Sequence, residues 1–142
     1  MTKNKLEQLA VWLALGAGGL DFCTGLGLVA APALALKLMG AAPIGAEALV
    51  YLRWIGAFVW AVGVSYLWAL WRREVVLLRS ALEVTVWFRL AAGGYSAWAV
   101  ATGALSLIWV SVPVTDFALA AAQVWLLRRG VFRCSNPRSG IA

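Results

Sequence analysis

Four long apolar stretches fill most of the 142-residue chain, and each contains one ionisable residue that a lipid bilayer disfavours. These residues are Asp21, Arg53, Arg89 and Asp116, one in each stretch. A lone charge near the bilayer centre costs roughly 2.5–3.5 kcal/mol on insertion scales, so such residues are normally paired inside a bundle or lie on a functional pathway. Two acids and two bases therefore predict ion pairs between membrane helices.

The composition is typical of a polytopic membrane protein. Hydrophobic residues make up 63% of the chain and charged residues 13%, whereas soluble domains average about 45–50% and about 25%. The net charge of +6 comes from basic residues beside the apolar stretches, which argues against a nucleic-acid partner. The chain has no histidine, and its two cysteines form no CxxC motif. We therefore expect no metal site, no catalytic residue and no intrinsic cofactor.

The apolar pattern predicts an all-α fold: one transmembrane domain of four helices and a polar tail. The helices are expected at about 9–31, 49–71, 81–102 and 105–127, and the tail at 130–142. Each is about 20 residues or longer, enough to cross a hydrocarbon core of about 30 Å. Pro32 should end the first helix, and Pro113 should kink the fourth. A cleaved signal peptide is the competing interpretation of the first stretch, but Asp21 interrupts it and it is too long.

The distribution of basic residues predicts the orientation. Nine Lys and Arg lie in the N-terminus, the loop between the second and third helices and the tail, against one, Lys37, in the other two loops. Lys37 belongs to a short interfacial helix expected over residues 33–39. By the positive-inside rule, both termini should be cytoplasmic. The composition favours a bacterial inner membrane.

Helix rise predicts which charges pair. Measured from the basic residues at the cytoplasmic ends of the helices, Asp21 and Arg53 lie about 24 and 28 Å deep, and Arg89 and Asp116 about 15 and 18 Å. The predicted pairs are Asp21 with Arg53 and Arg89 with Asp116. Such pairs can fix the register of a bundle. The alternative is a proton or ion relay, for which Gln123, on the face of Asp116, supplies a sparse polar lining.

Glycine and tryptophan mark the predicted contact faces. Gly18 and Gly25 on the first helix, and Gly56 and Gly63 on the second, have the small-residue spacing that lets helices approach closely. Gly93 is expected to do the same on the third helix or to widen a lipid or quinone groove. Two tryptophans lie deeper than an interfacial belt and are expected to contact a lipid tail, a pigment, a quinone or another subunit: Trp60 and Trp87.

The segment from Arg53 to Tyr66, with Gly56 and Gly63, resembles the second helix of the DoxX-like proteins and neighbouring small bacterial four-helix membrane families. The Gly-rich first stretch, Pro32 and the Leu-x-Leu-Met-Gly ending at Gly40 are similar to the same group. The resemblance implies the four-helix architecture. Some members of that group are linked to quinone-coupled sulfur oxidation, and many have no assigned activity.

The sequence leaves three functions open. The first is a non-catalytic accessory subunit of a larger bacterial membrane complex, in electron transport or photosynthesis, with membrane lipids and other subunits as its partners. The second is a small carrier or channel that uses Asp21 and Asp116. The third is a quinone-linked membrane enzyme of DoxX type. A bound lipid, a quinone or a peripheral pigment would be the ligand.

Overall fold

The computed structural model describes residues 3–131, with side chains from Lys5 onward, and every element in that range is helical. The predicted tail beyond Val131, which contains Cys134, lies outside the described residues. Within residues 3–131, a single 3-10 turn, Leu107–Val110, precedes the last of five α-helices. The helices are α1 (Lys3–Ala30), α2 (Pro32–Leu38), α3 (Ala46–Arg72), α4 (Val75–Ala101) and α5 (Ser111–Arg128).

Turn chemistry explains several of these boundaries. Pro32 opens α2, where its missing N–H would have had no helical partner, so α1 ends just before it. Arg73 takes a left-handed conformation (φ 54°) that reverses the chain between α3 and α4. Gly103 takes φ 77° after α4, a conformation that suits a residue without a Cβ. The helices α1 and α4 begin earlier than predicted, at Lys3 and Val75.

The fourth apolar stretch differs from its prediction as one helix over 105–127. Leu105 and Ser106 are not helical, the 3-10 turn follows, and α5 begins only at Ser111. Pro113 therefore lies in the first turn of α5, not in a kinked interior. A proline costs little there, because the first N–H groups of a helix have no partner in any case.

Three of the helical segments are long and apolar enough to cross a membrane: Lys5–Ala30, Ala46–Arg72 and Leu107–Arg128. They suggest a membrane protein. The helix α4 has the same length as α3, 27 residues. It carries Arg79, Glu83 and Arg89 among its apolar residues, which lowers its hydropathy.

The helices pack as two close pairs, α1 with α3 and α4 with α5, and the contact between α3 and α4 is smaller. Consecutive long helices run antiparallel. The buried apolar core lies at the end of the bundle that holds the start of α1, the α3–α4 turn and the end of α5. It includes Ala10, Ala14, Ala69, Leu82 and Leu126. The polar side chains of the candidate site lie next to this core, further along the helices.

Candidate functional site

A seam of glycines holds α1 against α3. A Cβ on Gly18 would lie 2.7 Å from the Cβ of Tyr66, and one on Gly56 would lie 2.6 Å from the Cβ of Leu28. Gly25 and Gly63 are tighter still, because a Cβ on either would collide with the backbone of the facing helix. The seam fixes the register of α1, and therefore the height of Asp21, relative to α3.

Arg89 of α4 forms ion pairs with two aspartates at once. Its Nη2 donates to Asp21 Oδ2 of α1 at 2.6 Å, and its Nη1 donates to Asp116 Oδ1 of α5 at 2.9 Å. The side chains of Arg89, Asp21 and Asp116 are 5%, 13% and 15% exposed, so the group is largely shielded. We call these three residues the ion triad. It links α1, α4 and α5.

The structure contains the predicted contact between Arg89 and Asp116, but the predicted pair of Asp21 with Arg53 is wrong. Asp21 pairs with Arg89, and Arg53 is exposed on α3. The predicted height of Arg89 starts from Arg79, which lies one turn inside α4. Counted from the first residue of α4, Arg89 lies about 21 Å along the helix, close to the height of Asp21. Arg53 lies further out.

A glycine also sets the approach of α5 to Arg89. A Cβ on Gly93 would lie 3.1 Å from the Cβ of Asp116 and 3.3 Å from a ring carbon of Phe117. Gly93 is one helical turn after Arg89, on the same face of α4. Its missing side chain lets Asp116 reach the guanidinium. By contrast, a Cβ on the neighbouring Gly94 would meet nothing within 4 Å.

A second polar group lies one turn from the ion triad and joins α3, α4 and α5. The Gln123 amide donates to the Tyr66 hydroxyl, which donates to Thr85 Oγ1 at 2.6 Å. Thr85 in turn donates to the carbonyl of Ala81 at 2.6 Å. Tyr66 and Gln123 are fully buried, and Thr85 nearly so. We call Tyr66, Thr85 and Gln123 the polar cluster.

Two buried atoms beside these contacts have no hydrogen-bond partner among the described residues: the donor Arg89 Nε and the acceptor Gln123 Oε1. Such groups are uncommon in protein interiors. The ion triad also has two carboxyl groups for one guanidinium. With both carboxyls ionised, its formal charge would be −1.

The two deep tryptophans lie on the outside of the bundle. Trp60 is 40% exposed, with its ring 6.0 Å from that of Phe22, and its backbone lies against Gly25. Trp87 is 72% exposed on α4. Both side chains are exposed on the outer surface of the helix bundle.

Tyr66 and Thr85 are the site residues that the sequence analysis missed. Each carried a usable signal. Thr85 lies four residues before Arg89, on the same face of α4, and Tyr66 lies three residues after Gly63, on the α3 face that meets α1. A polar residue one turn from a buried charge is a candidate partner. Away from the site, Arg79 and Glu83 form an exposed ion pair one turn apart on α4, at 2.7 Å.

Over the described residues, no group of three or more His, Cys, Asp or Glu side chains is arranged to hold a metal ion. Comparisons with protein-family models, curated proteins and solved structures found no significant match to the chain. The resemblance of residues 53–66 to the DoxX-like proteins stays a prediction, as does the quinone-linked activity that it implies.

Proposed function

We propose that the protein crosses a bacterial inner membrane four times, with both termini in the cytoplasm. The helix α4 has the length of a membrane span and packs antiparallel to α5, and its buried charge is neutralised by two neighbours. Three arginines lie in or beside the turn between α3 and α4, namely Arg72, Arg73 and Arg79, whereas the turn after α4 contains no Lys or Arg. This contrast supports a cytoplasmic position for the first turn and a periplasmic one for the second.

Within that membrane, the protein acts as a non-catalytic accessory subunit of a larger complex. The observation that carries this proposal is that the buried charges of α1, α4 and α5 bond to one another. The ion triad thereby joins helices that the glycine seam leaves separate. An arrangement of this kind fixes which helices meet and at what height. The outward tryptophans, Trp60 and Trp87, are then available to lipid or to a neighbouring subunit.

Gentle detergent extraction, a native gel and mass spectrometry of the resulting band test this proposal. We expect the chain to migrate with other membrane subunits, whose identity would show whether the complex belongs to electron transport or photosynthesis. Trp60→Ala and Trp87→Ala should weaken that association if their faces meet a partner. Trp12→Ala is a matched control, because Trp12 is 68% exposed near the start of α1. Migration of the chain only as a monomer or homodimer would contradict the proposal.

A second candidate, a small cation carrier, is favoured by the charge balance of the ion triad. Two carboxyl groups against one guanidinium leave room for a proton or another cation to restore neutrality. Flux into liposomes tests it, with a pH-sensitive dye for protons. Asp116→Asn should abolish flux if the triad carries the ion, while a structural triad would give no flux above that of empty liposomes in the wild type. Glu83→Gln is the control, because Glu83 lies on α4 but is exposed.

A further inference from the structure

A cleft of about 600 Å³ lies between α4 and α5, on the outside of the bundle. Its volume falls within the range of about 300–1,000 Å³ that small-molecule sites occupy. Most of its wall is apolar. Val86 and Leu90 of α4 face Phe117 and Val124 of α5 across it.

One end of the cleft is basic. Arg128 and Arg129, the last residues of α5 and its cap, line this end, and both are exposed. Neither forms an ion pair with another described residue. The Arg129 guanidinium lies 5.3 Å from the ring centroid of Trp125, which holds the charge at the mouth of the cleft. The nearest acid on α4, Glu83, is outside the cleft wall and is paired with Arg79.

We propose that this cleft binds an anionic phospholipid, with one acyl chain against the apolar wall and the phosphate at Arg128 and Arg129. The inference rests on the proposed membrane position, which puts the two arginines at the cytoplasmic surface. Charge complementarity selects the occupant. An uncharged apolar ligand would leave both arginines unused, and a free anion would leave the apolar wall uncovered.

Lipid binding to the purified protein, measured by native mass spectrometry in a mild detergent, tests the proposal. The probes are phosphatidylglycerol and phosphatidylcholine with identical acyl chains. A basic residue near an anionic membrane surface contributes about 1 kcal/mol, or roughly fivefold per arginine. We expect the wild type to prefer phosphatidylglycerol by roughly ten- to thirtyfold. Arg128→Gln with Arg129→Gln should reduce that preference to near one.

The control is Arg72→Gln with Arg73→Gln, the other pair of arginines at this end of the bundle, which lies outside the cleft. It should keep the wild-type preference if the lipid binds in the cleft. General attraction of arginines to anionic lipid would instead lower the preference in both double variants. Ala121→Trp fills the cleft wall and should lower the binding of both lipids. An unchanged preference in the Arg128 and Arg129 variant, or an equal loss in the control, would overturn the proposal.

A measurement on the wild type keeps the test valid if the double variant fails to fold. Raising the salt concentration should weaken phosphatidylglycerol binding and leave phosphatidylcholine binding unchanged. Equal effects on the two lipids would overturn the site. Association with other subunits is read separately on native gels, so loss of the lipid preference alone would leave the proposed function standing.

Discussion

Arg89 takes part in both of the buried ion pairs in the described part of the chain. Arg89→Met would leave Asp21 and Asp116 near each other without a cation. We expect a loss of stability between about 0.6 kcal/mol, the average for a hydrogen bond between membrane helices, and about 3–5 kcal/mol, the cost of an uncompensated buried charge in soluble proteins. The loss should exceed that from Asp21→Asn or Asp116→Asn, each of which keeps one ion pair. Thermal unfolding in detergent measures all three.

Arg53→Met is the matched control for this series. Arg53 is the other arginine within an apolar stretch, but it is exposed, so its removal should change the unfolding temperature little. A triple variant, Arg89→Met with Asp21→Asn and Asp116→Asn, should regain part of the loss, because it removes the charges together. If Arg53→Met destabilised the protein as much as Arg89→Met, the ion triad would not be the main electrostatic link.

At the scale of the helix, the glycine seam between α1 and α3 can be tested by comparing two glycines within one turn of α1, Gly25 and Gly27. A Cβ on Gly25 would collide with the backbone of Trp60, whereas one on Gly27 would meet nothing within 4 Å. We expect Gly25→Ala to separate the two helices and to lower the unfolding temperature clearly. Gly27→Ala should be neutral or slightly stabilising, since alanine favours a helix. Equal effects of the two changes would mean that the seam does not govern the α1–α3 contact.

The helices α4 and α5 allow the same comparison with adjacent residues. Gly93→Leu would push Asp116 and Phe117 away, and with them one partner of Arg89. The leucine side chain of Gly94→Leu would point into open space. We expect only the first change to lower stability, and we expect its effect to shrink in an Asp116→Asn background because both changes then act on the same contact. Thermal unfolding of Gly93→Leu, Gly94→Leu, Asp116→Asn and the double variant of Gly93→Leu with Asp116→Asn measures this coupling. Additive losses from Gly93→Leu and Asp116→Asn would contradict it.

Sequence periodicity predicted where the apolar helices lie better than it predicted which of them meet. Glycine spacing identified the faces of α1 and α3, because close approach in lipid requires small residues. It carried no information on the height of α4 relative to α1, so the partner of Asp21 was assigned wrongly. The start of α5 was missed for a local reason. The stretch is apolar from Leu105 onward, but Pro113 fits best in a first turn.

For the molecule as a whole, the proposed path of four membrane crossings puts the two turns of α4 on opposite sides. The test is single cysteines at Glu74 and Ala104, both exposed, in a chain with Cys23→Ser and Cys134→Ser. A membrane-impermeant maleimide should label Ala104→Cys in cells with a permeable outer membrane. It should label Glu74→Cys only after the inner membrane is opened. Labelling of both from one side would exclude a crossing by α4.

The ion triad also bears on how the chain is made. Its members occur in the order acid, base, acid: Asp21 in α1, Arg89 in α4 and Asp116 in α5. During synthesis from the N-terminus, α1 emerges before α4, so on the proposed path of four crossings a carboxyl group precedes the arginine into the membrane. Asp116 then arrives in the very next helix. On that path, Arg89 has one carboxyl partner in place when α4 inserts and gains a second from α5.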